Sequence, residues 1–310
     1  MELYRKFSEY LKKKFGCRVH KISVNANFSC PNIDGKLSDK GCIYCNNYAF
    51  SPSLKLNLTL EEQIIKGIEY GKKRFKAEKF IIYFQPYTNT YAHKEILKEK
   101  YDVIKKFPEV IGISIGTRPD CIDEEKLELI ESYSENYEVW IEYGLQSIHD
   151  KTLKIINRNH TYSDFLKAYE MTKKRDINVC THVIIGLPGE GREEIIETAK
   201  ECGRLKLDGI KIHPIHVLKN TQLEKIYNEG KFKVMEMDEY IDILIEFLSY
   251  LYPETIIQRL TADCDWKYLV APIWLKEKQK MLKLLEEKMK ERNLYQGKYF
   301  EKDYYNKKVH

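Results

Sequence analysis

Short β-branched runs alternate with longer charged amphipathic stretches along most of this chain, a rhythm that belongs to βαβ units around a parallel sheet. Six runs are strand-like: KISVNANF (Lys21 to Phe28), FIIYFQ (Phe80 to Gln85), VIGISI (Val110 to Ile115), EVWIEYGL (Glu138 to Leu145), NVCTHVII (Asn178 to Ile185) and GIKIH (Gly209 to His213). Thr59 and Glu62 have capping-box spacing ahead of the second strand, Asp123 and its acidic neighbours can open a helix after the third, and helical periodicity resumes at Arg192. Eight βα units would close a barrel. Six, before the rhythm changes near Lys219, predict an open, partial (β/α)6 TIM-like barrel of the α/β class. Beyond it the pattern predicts a helix around Glu236 to Tyr252, a strand at TIIQRL (Thr255 to Leu260), a long helix from Trp274 to Arg292 and a loosely held polar tail after Tyr295. With no internal repeat or clear linker, the expected division is a catalytic core over 14–220 and a helical C-terminal extension over 221–310, packed on the core.

The 310 residues suffice for a substantial core without disulfides. No apolar run approaches the ~20 residues needed to cross a bilayer, and the charged start MELYRKFSEYLKKKFG has no signal-peptide core, so a cytoplasmic protein without membrane contact is expected. In a reducing compartment, a tight grouping among the eight cysteines reads as metal or redox chemistry. The net charge of +5 allows an acidic partner such as RNA but defines no site. The alternating charges of WLKEKQKMLKLLEEKMKER fit a solvated helix on the body better than a nucleic-acid arm.

Directly after the first strand, Cys30, Cys42 and Cys45 fall in one glycine-containing loop, with eleven and then two residues between them. Such a loop lies at the mouth of a barrel, where active sites of that fold are built. Three thiolates can hold three irons of a 4Fe-4S cluster and leave the fourth iron open to a chelating cofactor. Structural zinc is the alternative; Cys17 and His20 could complete a set, although the intervening strand would separate His20 from Cys30 by about 30 Å at ~3.3 Å per residue. A fourth ligand from a distant loop stays open. Cys121, Cys180, Cys202 and Cys264 are scattered and read as buried free thiols.

Further blocks fall at strand ends: YFQPYTNTY (Tyr83 to Tyr91), GTRPD (Gly116 to Asp120), IEYGLQSIHDKTLKIINRNHT (Ile141 to Thr161), IIGLPGEG (Ile184 to Gly191), KIHPIHVLKNTQL (Lys211 to Leu223) and QRLTADC (Gln258 to Cys264). With the three-Cys loop they resemble radical S-adenosylmethionine (SAM) enzymes of the YhcC/YtqA type, relatives of the catalytic elongator subunit and of oxygen-independent coproporphyrinogen oxidase. The resemblance implies a radical SAM core with Cys30, Cys42 and Cys45 as catalytic cluster ligands, and SAM on the open iron. It places Tyr44 near the adenine and the backbone around Gln85 near the SAM amino group, although QPYTNT departs from the Gly-Gly-Glu segment of many relatives. It also directs Glu142 toward SAM. Ser147 and Arg158 follow in the same block, with Arg158 suited to pair with the SAM carboxylate. GLPGEG lacks the Lys-Ser/Thr of a phosphate loop, so Gly186 is read as part of a tight turn that lets backbone approach adenosine. His213 is a candidate at the mouth, while His216, Asp263 and Cys264 receive no assigned role.

The implied activity is reductive cleavage of SAM to a 5′-deoxyadenosyl radical, with an external electron donor. The elongator kinship points to wobble-uridine modification in tRNA, without acetyl-CoA chemistry, since the chain ends at His310 without room for the acetyltransferase domain of those relatives. Two alternatives remain at this stage: a radical SAM enzyme on a small molecule, and a zinc-stabilised RNA-binding protein without catalysis.

Overall fold

The computed structural model describes residues 2–55 and 57–300. Nine strands occur in chain order: β1 (Val19–Val24), β2 (Lys79–Phe84), β3 (Val110–Thr117), β4 (Glu138–Gln146), β5 (Asn178–Ile185), β6 (Gly209–Pro214), β7 (Val217–Leu218), β8 (Ile256–Arg259) and β9 (Leu269–Ala271). One sheet has the order β1-β2-β3-β4-β5-β6-β8, every neighbouring pair parallel, and β7 with β9 forms a separate antiparallel ribbon. This is the expected open α/β barrel with one strand more than the six-unit reading. The run around residues 256–259 does form a strand, and it joins the main sheet beside β6.

The helices start where the chemistry of their first turns allows. Thr59 and Glu62 exchange the two bonds of a capping box (Glu62 N to Thr59 Oγ1 3.2 Å, Thr59 N to Glu62 Oε2 2.7 Å), and Asp123 accepts from Lys126 N at 2.9 Å. Each such cap is worth about 1 kcal/mol to its helix. Helix Met237–Tyr250 packs against Arg192–Arg204 and buries Ile241, Leu244, Phe247 and Leu248, at roughly 1.5–3 kcal/mol of transfer free energy per side chain.

The gap between β1 and β8 is bridged by the N-terminal segment. Ile257 N donates to Arg5 O at 2.8 Å, and helix Phe7–Phe15 then crosses beneath the half-barrel. There Phe7 meets the fully buried Trp140 edge-on at 5.6 Å, while Tyr10 and Lys14 reach Glu138 at 2.7 and 2.5 Å. The helix thus covers the bottom of the half-barrel at Trp140 and Glu138, and the carboxyl ends of the strands form its mouth.

The long C-terminal helix is shorter than expected, with a 3-10 turn at Ile273–Glu277 before Lys278–Glu291. The loosely held tail is corrected over 296–300: Gln296 is buried and donates to the carbonyls of Tyr252 (3.0 Å) and Thr255 (2.7 Å). Residues 301–310 lie outside the described residues.

Candidate active site

A cavity of about 240 Å³ opens at the carboxyl ends of the strands. The loop carrying Cys30, Cys42 and Cys45 forms its rim. Tyr83, Glu142, His182, His213 and Arg259 line its interior.

The rim is held by the turn Asn157–Asn159. Asn157 and Asn159 adopt left-handed backbone (φ 55° and 53°), which Asn tolerates better than most residues. Asn157 Nδ2 donates to Gly41 O at 2.5 Å, Asn32 Nδ2 to Asn157 O at 2.7 Å, and Ile43 N to Ile156 O at 3.1 Å. Arg118, 2% exposed, fastens the same turn through Arg158 O (2.9 Å) and Asn159 O (3.2 Å), with its other edge on Asp120.

Arg158 is buried between strand and loop. Its Nη2 donates to Gly144 O at 2.9 Å, its Nε to His160 Nε2 at 2.9 Å, and its Nη1 to Cys42 Sγ at 3.7 Å. A Cβ on residue 144 would stand 2.6 Å from Nη2, so glycine is what admits the guanidinium. His160 is kept neutral: burial, then Arg158 and Arg118, pull its pKa down to about 3. Three of the guanidinium's directions are therefore taken by protein groups. The expected pairing of Arg158 with a SAM carboxylate has only its remaining N–H groups to use.

The thiols suit an iron–sulfur cluster better than one zinc ion. Zinc–sulfur bonds of ~2.3 Å in a tetrahedron bring sulfurs to about 3.8 Å of one another. Cys30, Cys42 and Cys45 do not all come within 4.8 Å; among the described residues the set that does is Glu142, Cys180 and His182, where lysines already occupy the carboxylate. Polar N–H groups also point at the sulfurs: Asn32 Nδ2 lies 3.4 Å from Cys42 Sγ, and Asn47 Nδ2 3.6 Å from Cys45 Sγ. As a free thiol Cys45 is poorly ionised. Desolvation inside the loop, then the Cys42 and Cys30 sulfurs, push Cys45 up to about 12, even though Cys45 shows surface to solvent. Such a donor set calls for a bound cationic centre. On the cavity wall Thr88 Oγ1 and His213 Nδ1 are buried with no partner among the described residues, as suits a cavity built around a polar ligand. His20 is far from this rim, stacked on Phe75 at 4.5 Å beside the amino end of β1.

The other sequence candidates divide. Tyr44, Gln85, Glu142, Arg158 and His213 all line the cavity with the three cysteines. Burial, then Cys42, raise the Tyr44 phenol well above its ordinary range, so it stays protonated beside the sulfurs. Glu142 lines the cavity with both of its carboxylate oxygens already engaged. Its Oε1 accepts from Ser114 Oγ (2.6 Å) and Lys21 Nζ (2.8 Å), and its Oε2 from His182 Nε2 (2.7 Å) and Lys211 Nζ. Ser147 and Gly186 fall outside the lining. Ser147 is fully buried and donates to Glu190; Gly186, at φ +86°, turns the chain beside Ile215 and Met235. His216 is buried with Nδ1 2.8 Å from Pro214 O, Asp263 pairs with Lys278 at 2.5 Å, and Cys264 packs with Leu218, Leu269 and Leu275, its thiol raised by burial to about 11.

The sequence reading missed Lys21, Lys211, Arg259 and His182. Each of these polar side chains falls in or beside an apolar run of the kind that forms a strand buried on both faces, and that interruption was the available signal.

The sequence matches the Radical SAM superfamily over residues 38–202 and the Radical_SAM C-terminal domain over 207–291. It is 42% identical over 304 residues to MJ0486 of Methanocaldococcus jannaschii, covering 96% of this chain and 92% of that one. It is 34% identical over 302 residues to YtqA of Bacillus subtilis, covering 96% and 93%. Among solved structures, the Elp3 of Methanocaldococcus infernus, with an N-terminal deletion (1–46), superposes with a TM-score of 0.66 at 20% identity, over 90% of this chain and 64% of that one.

Proposed function

This chain belongs to the radical SAM superfamily, enzymes that use a 4Fe-4S cluster and SAM, and on that premise we propose that the cavity rim is where SAM is cleaved and the half-barrel where the substrate is attacked. The observation that carries the reading is the three-thiol rim at the mouth of the half-barrel. In this reading Cys30, Cys42 and Cys45 would hold the cluster, and the chemistry it would supply, given an external electron donor, is the one-electron reductive cleavage of SAM to methionine and a 5′-deoxyadenosyl radical. Asn32, Asn47 and Arg158 direct N–H groups at the thiolates and fix the loop. Tyr44 and the Gln85–Thr88 segment form the walls against which SAM lies, with the Thr88 hydroxyl free to bond it. Trp140 and helix Phe7–Phe15 cover the floor, which limits the access of water to a radical formed above it. Residues 14–220 form the catalytic core in this account, and 221–310 contribute β8 and the covering helices. The enzyme belongs in the cytoplasm, a setting that keeps its thiols reduced. After anaerobic reconstitution with iron and sulfide and then reduction, the protein should convert SAM to 5′-deoxyadenosine; one zinc per chain with SAM left intact would overturn the assignment.

For the substrate we propose a tRNA wobble uridine, supported by the likeness to elongator proteins. Phosphate contacts by Lys and Arg would make tRNA binding fall steeply with salt, with a log–log slope of about −0.7 to −0.9 per contact. Gel-shift titrations from 50 to 200 mM salt should show a loss of tenfold or more; affinity independent of salt would remove tRNA from the account. A small-molecule substrate is the second reading, favoured by the cationic interior of the cavity.

A further inference from the structure

Within the half-barrel, positive charge exceeds negative. Among the described residues Glu142 is the one carboxylate of a centre that holds Lys21, Lys211 and Arg259. His182 and His213 add no charge at neutral pH: burial comes first in lowering both, His182 to about 4 and His213 well below the usual imidazole range. Lys211 shows the imbalance. Burial, with Lys21 and Arg259 on the same side against Glu142, brings its pKa down to about 7.

Arg259 is the cation of this centre left without a partner. Lys21 and Lys211 both bond Glu142. Arg259, half-buried at the end of β8, lines both this cavity and the outer groove beside it and acts on Lys211, His182, His213 and His216, yet it makes no side-chain hydrogen bond or ion pair among the described residues. The carboxylate on the neighbouring outer groove, Glu286, is already engaged by Lys6 at 2.8 Å. On the same wall as Arg259, His213 Nδ1 is buried and unbonded. An unpaired guanidinium and a buried, unbonded imidazole nitrogen on two residues that line one cavity, in surroundings of excess positive charge, are groups suited to an oxyanion.

We propose that the inner end of the cavity, at Arg259 and His213, is a subsite for the anionic group, a carboxylate or phosphate monoester, of a small substrate. The proposal rests on the second, small-molecule reading of the substrate, and on the radical SAM reading in holding that a substrate enters this half-barrel. It assigns to the substrate a negative end held deep in the barrel, with the part to be attacked toward the thiol rim. Arg259 supplies charge and a planar pair of donors, and His213 a single directional bond.

The test uses the full-length, cluster-loaded protein with inorganic phosphate and, separately, malonate as probes, in the wild type, Arg259→Gln and Arg259→Lys. The wild type should bind at least one anion saturably, with thermal unfolding rising by several degrees near saturation. Phosphate or malonate preference identifies the phosphate ester or the carboxylate. R259Q should weaken binding tenfold or more, while R259K stays within a few-fold of wild type. Without anion, R259Q should unfold at the same temperature as the wild type or higher, because it removes an unpaired cation from like charges. Absence of saturable binding, equal binding by R259Q, or an anion-free R259Q that melts well below wild type would each overturn the subsite. Competition by a short RNA, but by no small phosphate ester or carboxylate, would overturn the small-substrate assignment. Titration with SAM alone is read separately: SAM bound with no anion bound defeats the subsite and leaves the radical SAM reading standing.

Discussion

Cys42→Ala is expected to leave a folded protein that assembles no stable cluster and forms 5′-deoxyadenosine at least about a thousandfold more slowly, equivalent to roughly 4 kcal/mol of barrier. Cys42 is the most enclosed of the three rim thiols, and two N–H groups, from Asn32 and Arg158, converge on its sulfur. Removing the sulfur leaves two ligands for three irons and two donors aimed at an empty position. The loop should nevertheless survive, because Asn157 on Gly41 O and Ile43 on Ile156 O hold it without the metal. Cys264→Ala is the matched control: that buried thiol lies among Leu218, Leu269 and Leu275, outside the cavity, and its loss should spare iron content. Iron and acid-labile sulfide per chain, measured beside the SAM assay, decide the matter. A Cys42→Ala protein with a full complement of iron and undiminished turnover would remove this loop from the chemistry.

Legibility differed between the scaffold and the site for physical reasons. β5 emerges with the bounds read from its β-branched run, because a central parallel strand is specified by its own apolar residues. β1 ends at Val24, four residues before its run does, because Asn25 N turns to Gln63 Oε1 at 2.8 Å and Asn27 takes φ 61°. That side-chain partner lies 38 residues away, beyond any local pattern. β8 was visible as a strand, but its place beside β6 is set by pairing with Gly209 to Lys211, nearly fifty residues distant.

The rim could be read because its meaning is local, three cysteines in sixteen residues. The charged interior could not be assembled from sequence. Lys21, Ser114, Glu142 and Lys211 come from four strands, and only the sheet order brings them together. Arg158 lies between these cases. Its block was singled out, but its bonds to Gly144 O and Cys42 come from a strand and a loop that pattern alone does not juxtapose.

Glu142→Gln is expected to cost about 3–5 kcal/mol of stability at pH 7, the range for breaking a buried ion pair by removing one partner. The side chain is fully buried, and its charge is shared by Lys21 and Lys211 with further bonds from Ser114 and His182. Burial opposes ionisation, but Lys21, Lys211 and the His182 bond overrule it and hold the carboxyl well below its ordinary 4.5. A carboxyl lowered on folding gives stability that is fully present above its unfolded value and disappears as pH falls through the folded one. The part of the difference between wild type and E142Q that comes from the carboxyl itself should therefore be fully present from neutral pH down to about pH 4.5, then shrink in more acid solution as the wild-type carboxyl takes up its proton. Urea unfolding of both proteins between pH 7 and 3 reads this directly. Adding Lys211→Met to E142Q should recover part of the loss, since it removes a lysine whose counter-ion is gone, along with the like-charge contact to Lys21 and Arg259. If E142Q matched the wild type at pH 7, Glu142 would not be the counter-ion that allows this much positive charge inside the half-barrel, and the excess near Arg259 would need another account.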